Sequence, residues 1–182
     1  VGLTSIHWRE SWKYGERAFR YCQHDAGHAI GSFAVSAAGL DLEAKLLEGV
    51  TDDDLAALLG VNGQTGPESE HPDCLLAVFP RGAEFTTGAQ RAFTIAGSVC
   101  DELRGAQWAG RPNQLSSDHH PWPVIDAVAT ATRKLANPVE SYWTTSDNAR
   151  DTLDLGESSH TPRRIIHQRR SAVALDGQTG IT

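Results

Sequence analysis

The feature that most constrains the fold is a long stretch of helical periodicity near the start of the chain. From Trp8 to about Leu40, apolar and small residues recur at spacings of three and four, as they do along one side of an α-helix. Gly39 is expected to end this helix, because glycine readily adopts the conformation found just after helix ends. Since the helix is apolar or small on most sides, we predict that it is buried. The residues that carry the spacing are Ala26, Ala29, Ile30, Phe33, Ala34, Ala37 and Ala38.

The segments that follow predict an α+β fold built from short elements. Thr51 precedes three aspartates, which is typical of a capped helix start, and Gly60 marks the end of that helix. Short strands are expected at 43–47 and 74–79, and a further helix at 122–135. The other segments are loops at 62–73 and 105–121, a region at 85–104 with a diluted helical signal, and a last short helix from Thr161 to Arg170.

Composition narrows the classes of function. The chain has 182 residues and a formal net charge of −7, which disfavours a general nucleic-acid binder because phosphate contacts need clustered Lys and Arg. It has no apolar run long enough to predict a membrane span. The three cysteines lack the spacing of a zinc knuckle or a disulfide framework, so a reducing cytoplasm is expected. No Gly-rich dinucleotide or phosphate loop and no GxSxG nucleophile motif occurs.

A cationic segment is the richest candidate for binding chemistry. Lys13, Arg17 and Arg20 are spaced four and three apart, so a continuous helix would place them on one face. Together with Tyr14 and Tyr21, they could hold an anionic ligand such as a phosphate or a reduced flavin. The alternative interpretation is a solvated basic face of the kind that many helices carry.

Two histidine clusters are weaker candidates. His24 and His28 are four residues apart with Asp25 after the first, which imitates the HExxH zinc motif. A third ligand is missing and Glu is the usual base, so a structural or flavin-side role of these histidines is preferred and a metal site is kept as the alternative. The second cluster, residues 118–120, is interpreted as a turn that leads into the helix after Pro121.

The run from Trp12 to Ala29, W-K-Y-G-E-R-A-F-R-Y-C-Q-H-D-A-G-H-A, resembles the SagB/ThcOx-type dehydrogenases of the nitroreductase superfamily. In that family a Lys-Tyr pair, R-x-x-R-Y and G-H-A open the C-terminal half of the domain. The resemblance continues in D-D-D-L-A-A-L-L-G at 52–60, in E-H-P at 70–72, and in N-Q-L-S and W-P-V-I-D-A-V-A between 113 and 129. It ends in I-I-H-Q-R-R-S-A at 165–172, which is similar to the element that opens a nitroreductase domain.

The resemblance implies an α+β, nitroreductase-like sheet flanked by helices, of which only part is present. It divides the chain into the C-terminal half of one domain at 1–143, a linker at 144–160, and the start of a second domain at 161–182. FMN is the implied cofactor. Homo-dimers, or intramolecular pseudo-dimers in tandem members, are the implied assembly.

The same resemblance implies roles for individual residues. Lys13 and Tyr14 match the catalytic pair that handles a proton. Arg169, Arg170 and Ser171 match the element that holds the FMN phosphate and ribityl chain, and the resemblance implies that they serve the flavin of the second domain, not that of the first. The expected activity is hydride transfer from a small-molecule or modified-peptide substrate, with no role for nucleic acid or membrane. The alternative is a catalytically degenerate partner domain that supplies only structural contacts.

Overall fold

The structure is a computed structural model that describes residues 1–83, 95–110, 113–135 and 160–171, together with Ala174 and Gly177. The chain divides into two compact units, Val1–Tyr142 and Trp143–Thr182. The first unit contains β1 (Gly2–Ser5), α1 (His7–Tyr14), a 3-10 turn (Gly15–Arg17), α2 (Ala18–Gly39), β2 (Leu42–Leu46), α3 (Asp52–Leu59), β3 (His71–Pro80), α4 (Gly97–Arg104) and α5 (Pro123–Ala131). In the second unit, the described element is α6 (Pro162–Gln168). The mixture of helices and antiparallel strands confirms the α+β class.

The three strands form an antiparallel sheet in the order β1-β3-β2. The central strand, β3, begins earlier than the predicted 74–79 and includes Pro72, which cannot donate a backbone hydrogen bond. The register of β1 against β3 shifts between Leu3 and Thr4, and Thr4 is the partner of Pro72. The proline is thus accommodated at an irregular point of the ladder. Strand β2 lies within one residue of the predicted 43–47.

The prediction of one continuous helix from Trp8 to Leu40 is wrong. It is two helices, α1 and α2, separated by a 3-10 turn that starts at Gly15. Gly15 has φ 57° and ψ −136°, a conformation that residues with a side chain rarely adopt, so the helix cannot run through it. Helix α2 does end at Gly39, as predicted.

The predicted burial of this helical region is also wrong. Within α2, the buried side chains are Ala18, Cys22 and Ala37, while most of the small residues between them are exposed. Val35 has an exposed fraction of 62%. Small residues permit close packing, but in the described part of the chain most of this helix surface has no covering element.

Helix α3 matches the prediction at both ends. The Thr51 hydroxyl accepts a hydrogen bond from the Asp54 amide at 3.1 Å, and Gly60 ends the helix with φ 69°. Helix α5 is shorter than the predicted 122–135, and Ile125 is its buried residue while Val124 and Val128 are exposed.

The buried apolar side chains of the first unit come mainly from its helices. Helices α2 and α3 pack against the sheet, α1 and α5 pack against α2, and α4 packs against α3. The buried apolar residues are Trp8, Ala18, Cys22, Ala37, Val50, Leu55, Ala57, Val61, Leu76, Cys100 and Ile125. No helix in the described part of the chain is long and apolar enough to cross a membrane.

In the second unit, α6 begins as expected, with the Thr161 hydroxyl accepting a hydrogen bond from the Arg164 amide at 3.3 Å. The predicted linker at 144–160 lies outside the described residues except for His160, and so does most of the segment after Ser171.

Candidate functional site

The predicted catalytic pair lies where α1 ends. Lys13 is exposed and Tyr14 is half-buried. The Lys13 Nζ lies 5.1 Å from the centroid of the Tyr14 ring, within the range of a cation–π contact. The Tyr14 ring in turn stacks on Tyr21 of α2, with a centroid distance of 4.0 Å and an interplanar angle of 20°. The interruption at Gly15 folds α2 back against α1 and so brings the two tyrosines together.

The prediction that Lys13, Arg17 and Arg20 share one helical face is wrong. They belong to α1, to the 3-10 turn and to α2 respectively, because Gly15 breaks the helix between the first and the second. All three side chains are exposed. The cations therefore surround the helix junction without forming a single periodic stripe.

The predicted FMN-binding residues follow α6 in the second unit, and Arg169, Arg170 and Ser171 are all exposed. The Arg170 Nη1 donates to the backbone carbonyls of His167 and Arg169 at 3.0 and 2.9 Å. Two guanidinium groups and a hydroxyl in succession are a donor set that fits a phosphate, which Arg binds through paired N–H groups. For Arg170, a phosphate would have to use the guanidinium N–H groups other than those of Nη1.

The His24 and His28 pair stays on the exposed surface of α2, where the His28 Nδ1 lies 2.7 Å from the His24 carbonyl oxygen. Among the residues that the structure describes, no group of three His, Cys, Asp or Glu side chains is arranged to hold a metal ion.

A cavity of about 220 Å³, here called the histidine cavity, was not predicted from the sequence. It lies beside the start of α1, and its wall comes from that helix, from the start of β3, from the loop before α5 and from α5 itself. The imidazoles of the wall are His7, His71, His119 and His120, and they are joined by Trp8, Trp122 and Asp126.

His7 and His71 form the inner wall of this cavity. Their rings stack with a centroid distance of 4.2 Å and an interplanar angle of 17°, and Phe19 meets the His7 ring edge-on at 5.2 Å. The antiparallel register explains the contact, since Ser5 of β1 lies opposite His71 and His7 follows two residues later. Among buried side-chain polar atoms in the described part of the chain, the His7 Nδ1 is the one without a hydrogen-bond partner. Leaving such a group unpaired costs about 1–3 kcal/mol.

The electrostatics of the stacked pair favour neutral rings. Burial, and secondarily the nearby His71, lower the pKa of His7 from 6.5 to about 4, although the Asp126 carboxylate acts in the opposite direction. Burial also lowers the pKa of His71, again against the influence of Asp126. Both imidazoles are therefore uncharged near neutral pH, and the Asp126 carboxylate is close enough to influence both.

Two indoles also line the cavity. The Trp8 indole, which is 9% exposed, has its ring centroid 5.8 Å from that of His119, and Trp122 meets His120 edge-on at 5.3 Å. Trp122 also packs against the helix interruption, because a Cβ atom on Gly15 would lie 3.3 Å from the indole. The tryptophan therefore contacts both the cavity and the residue that follows Tyr14.

A second and larger cavity, of about 950 Å³, shares His7, His71 and Asp126 with the histidine cavity. Its charged lining is largely paired within the chain: Arg133 binds Asp53, and Arg104 binds Asp54 at 2.7 Å. A further lining carboxylate, that of Asp73, accepts hydrogen bonds from Ser5 at 2.6 Å and Gln23 at 3.5 Å. Neither cavity is lined by Lys13 or Tyr14.

The residues of the histidine cavity are separated along the chain, so periodicity and motif spacing do not bring them together. One signal was present: His-Trp at 7–8 and His-Pro-Trp at 120–122 pair an imidazole with an indole in two separate segments. His120 was interpreted only as part of a turn, and Trp8 and Trp122 were interpreted only as the first residues of predicted helices.

No protein-family model, no curated protein and no solved structure matches this chain.

Proposed function

We propose that the chain is part of an FMN-dependent oxidoreductase of nitroreductase type, in which Lys13 and Tyr14 handle the proton that accompanies hydride transfer. The observation that carries this proposal is the contact of the Lys13 ammonium with the Tyr14 ring, 5.1 Å from its centroid, on top of the 4.0 Å stack with Tyr21. A flexible amine and a positioned phenol then lie side by side at an exposed helix junction.

Oxidation of a C–X–H group releases a hydride and a proton, and the two need different acceptors. FMN, when bound, supplies the hydride acceptor. Lys13, once deprotonated, is the proton acceptor. Tyr14 holds the amine against its ring and orients the substrate through its hydroxyl. The stack on Tyr21 supports this division, because it restrains the Tyr14 ring while the Lys13 chain remains exposed.

Arg169, Arg170 and Ser171 are the proposed ligands of the FMN phosphate and ribityl chain of the second domain, not of the flavin beside Lys13 and Tyr14. Their support is chemical: guanidinium forks form charge-assisted, paired hydrogen bonds with phosphate oxygens. The remaining parts of the proposal are a nitroreductase-like sheet, a small-molecule or modified-peptide substrate, a homo-dimer or intramolecular pseudo-dimer, and a place in the cytoplasm.

The first test is the visible absorption spectrum of the intact purified protein. We expect the bands of an oxidised flavin, with FMN released on denaturation. A colourless protein that stays colourless after incubation with FMN contradicts the proposal. Arg170→Ala is expected to lower FMN affinity, whereas Arg163→Ala, at the start of α6, serves as the control for loss of a nearby positive charge.

The second test separates the roles of the pair in the flavin-loaded protein. Lys13→Ala is expected to lower kcat by about 10²–10⁴-fold without loss of flavin, the usual size of an acid–base contribution. Tyr14→Phe is expected to lower kcat as well, because the substrate loses the hydroxyl that orients it. Tyr21→Phe keeps the ring stack and removes only a neighbouring hydroxyl, so it controls for Tyr14→Phe. Lys13→Arg keeps the charge but cannot accept a proton, and we expect it to be as inactive as the alanine variant.

A second candidate function is a degenerate partner domain. It is favoured by the exposed position of Lys13 and by the absence of both members of the pair from the lining of the two cavities. Bound flavin together with unchanged turnover in Lys13→Ala and Tyr14→Phe would favour this second function over the first.

A further inference from the structure

We propose that the histidine cavity binds a small organic cation between Trp8 and Trp122, with the Asp126 carboxylate as its counter-ion. This site is separate from the Lys13 and Tyr14 pair, and the inference does not depend on the proposed oxidoreductase activity.

The charge of the lining is the first argument. Among the lining residues that the structure describes there is no Lys or Arg, and Asp126 is the acidic member. The depressed pKa values of His7 and His71 keep these two imidazoles neutral near pH 7, so they do not offset the carboxylate. A cavity with this charge attracts a cation and repels a phosphate or a carboxylate.

The aromatic walls are the second argument. Indole is the best of the protein side chains for cation–π attraction, and two indoles contribute to a cavity of only about 220 Å³. Trp8 is almost fully buried and Trp122 packs against Gly15, so both rings are restrained before a ligand arrives. Restrained aromatic walls around one carboxylate are the usual way in which proteins recognise ammonium groups.

The volume sets the size of the ligand. Cavities for drug-sized ligands usually measure about 300–1,000 Å³, and this one is smaller. A compact ammonium or amidinium ion is the class that fits.

A transition metal is the obvious rival in a cavity with four histidines. The stacked arrangement of His7 and His71 disfavours it, because the nitrogen lone pairs of parallel rings lie in parallel planes and do not converge on one point. Consistently, no group of three potential ligands with metal-binding geometry occurs in the described part of the chain.

The test uses choline as the probe and 3,3-dimethylbutan-1-ol as its uncharged analogue of the same shape. Each is titrated into the intact protein while the indole N–H resonances of the five tryptophans are followed by NMR. We expect choline to shift the Trp8 and Trp122 signals in a saturable way, and the neutral alcohol to bind at least about tenfold more weakly. Equal binding of the two probes, or no shift of either indole at millimolar choline, overturns the proposal.

Two variants locate the site. Asp126→Asn removes the counter-ion from an exposed position on α5 and is expected to weaken choline binding by about tenfold. Asp118→Asn is the control, because it removes the same charge outside the cavity, and it should change choline affinity by less than about twofold. Trp122→Leu should abolish the effect, with circular dichroism reporting whether the fold is kept. If Asp126→Asn and Asp118→Asn behave alike, Asp126 is not the counter-ion. If Zn²⁺ shifts the histidine resonances at stoichiometric concentration and choline does not, the cavity is a metal site and the proposal is wrong.

Discussion

The buried His7 imidazole makes the stability of the first unit depend on pH. Its pKa is about 4 in the folded protein against 6.5 in the unfolded chain, so between these values the unfolded state binds the extra proton. The lowered pKa of His7 therefore leaves the free energy of unfolding unchanged above about pH 6.5. As the pH falls from there to about 4, the free energy of unfolding decreases progressively. The full difference corresponds to about 3 kcal/mol, of which about 2 kcal/mol is already lost at pH 5.

The groups that face His7 refine this expectation. His71 of β3 stacks on His7, and its own pKa is also lowered. Protonation of His71 at low pH therefore also reduces the stability of the folded state. Asp126 from α5 acts in the opposite direction, because its carboxylate raises the pKa of both rings against the effect of burial. The measured loss should therefore be at least as steep as that of His7 alone.

The assay is urea denaturation followed by far-ultraviolet circular dichroism at pH 7.0, 6.0, 5.0 and 4.5. His7→Phe keeps a flat ring against His71 and Phe19 but has no proton to bind, so its slope with pH should be smaller by the His7 contribution. Any packing error in the variant lowers the free energy of unfolding equally at every pH and leaves the slope intact. His28→Gln, on the exposed surface of α2, should retain the slope of the unaltered protein. Equal slopes for His7→Phe and the unaltered protein, or an NMR titration of His7 near 6.5, would refute the reasoning.

Three further changes test the local structure. Gly15→Ala should lower the free energy of unfolding by about 1–3 kcal/mol, because φ is 57° at this residue and a Cβ atom would lie 3.3 Å from Trp122. Gly27→Ala is the control, because Gly27 lies inside α2 with open space around its Cβ position. It should raise the free energy of unfolding by up to about 1 kcal/mol in the same denaturation assay. Thr51→Ala removes the cap of α3 and should cost about 1 kcal/mol of unfolding free energy, while Thr51→Ser keeps the hydroxyl and should cost little. Glu68→Gln should speed hydrogen exchange at the Leu115 and Ser116 amides. The Glu68 carboxylate accepts hydrogen bonds from these amides at 2.6 and 3.3 Å and pairs with Arg9. Exchange as slow as in the unaltered protein would show that these hydrogen bonds do not hold the loop.

Local signals predicted the elements whose ends are set by their own residues. Helix α3 has its cap at Thr51 and its left-handed end at Gly60, and both act within one turn of the helix. Helix α6 likewise begins at a Thr cap followed by Pro162. In these cases the determining contacts are short-range, so sequence patterns contain the necessary information.

The errors arose where distant residues decide the structure. Gly15 permits an interruption but does not specify one, since Gly27 and Gly31 lie inside α2. The residue that packs against Gly15 is Trp122 of another segment. The small residues of α2 are compatible with burial, but burial also requires an element to cover them. The histidine cavity depends on the pairing of β1 with β3, which a spacing rule cannot see.

Helix α1 connects the two parts of the first unit to which we assign chemistry. Its first turn contributes His7 and Trp8 to the histidine cavity, and its last turn carries Lys13 and Tyr14. The interruption at Gly15 serves both, since it turns Tyr21 onto Tyr14 and provides the surface against which Trp122 packs. Trp122 is therefore the side chain of the cavity wall that lies against the backbone next to Tyr14.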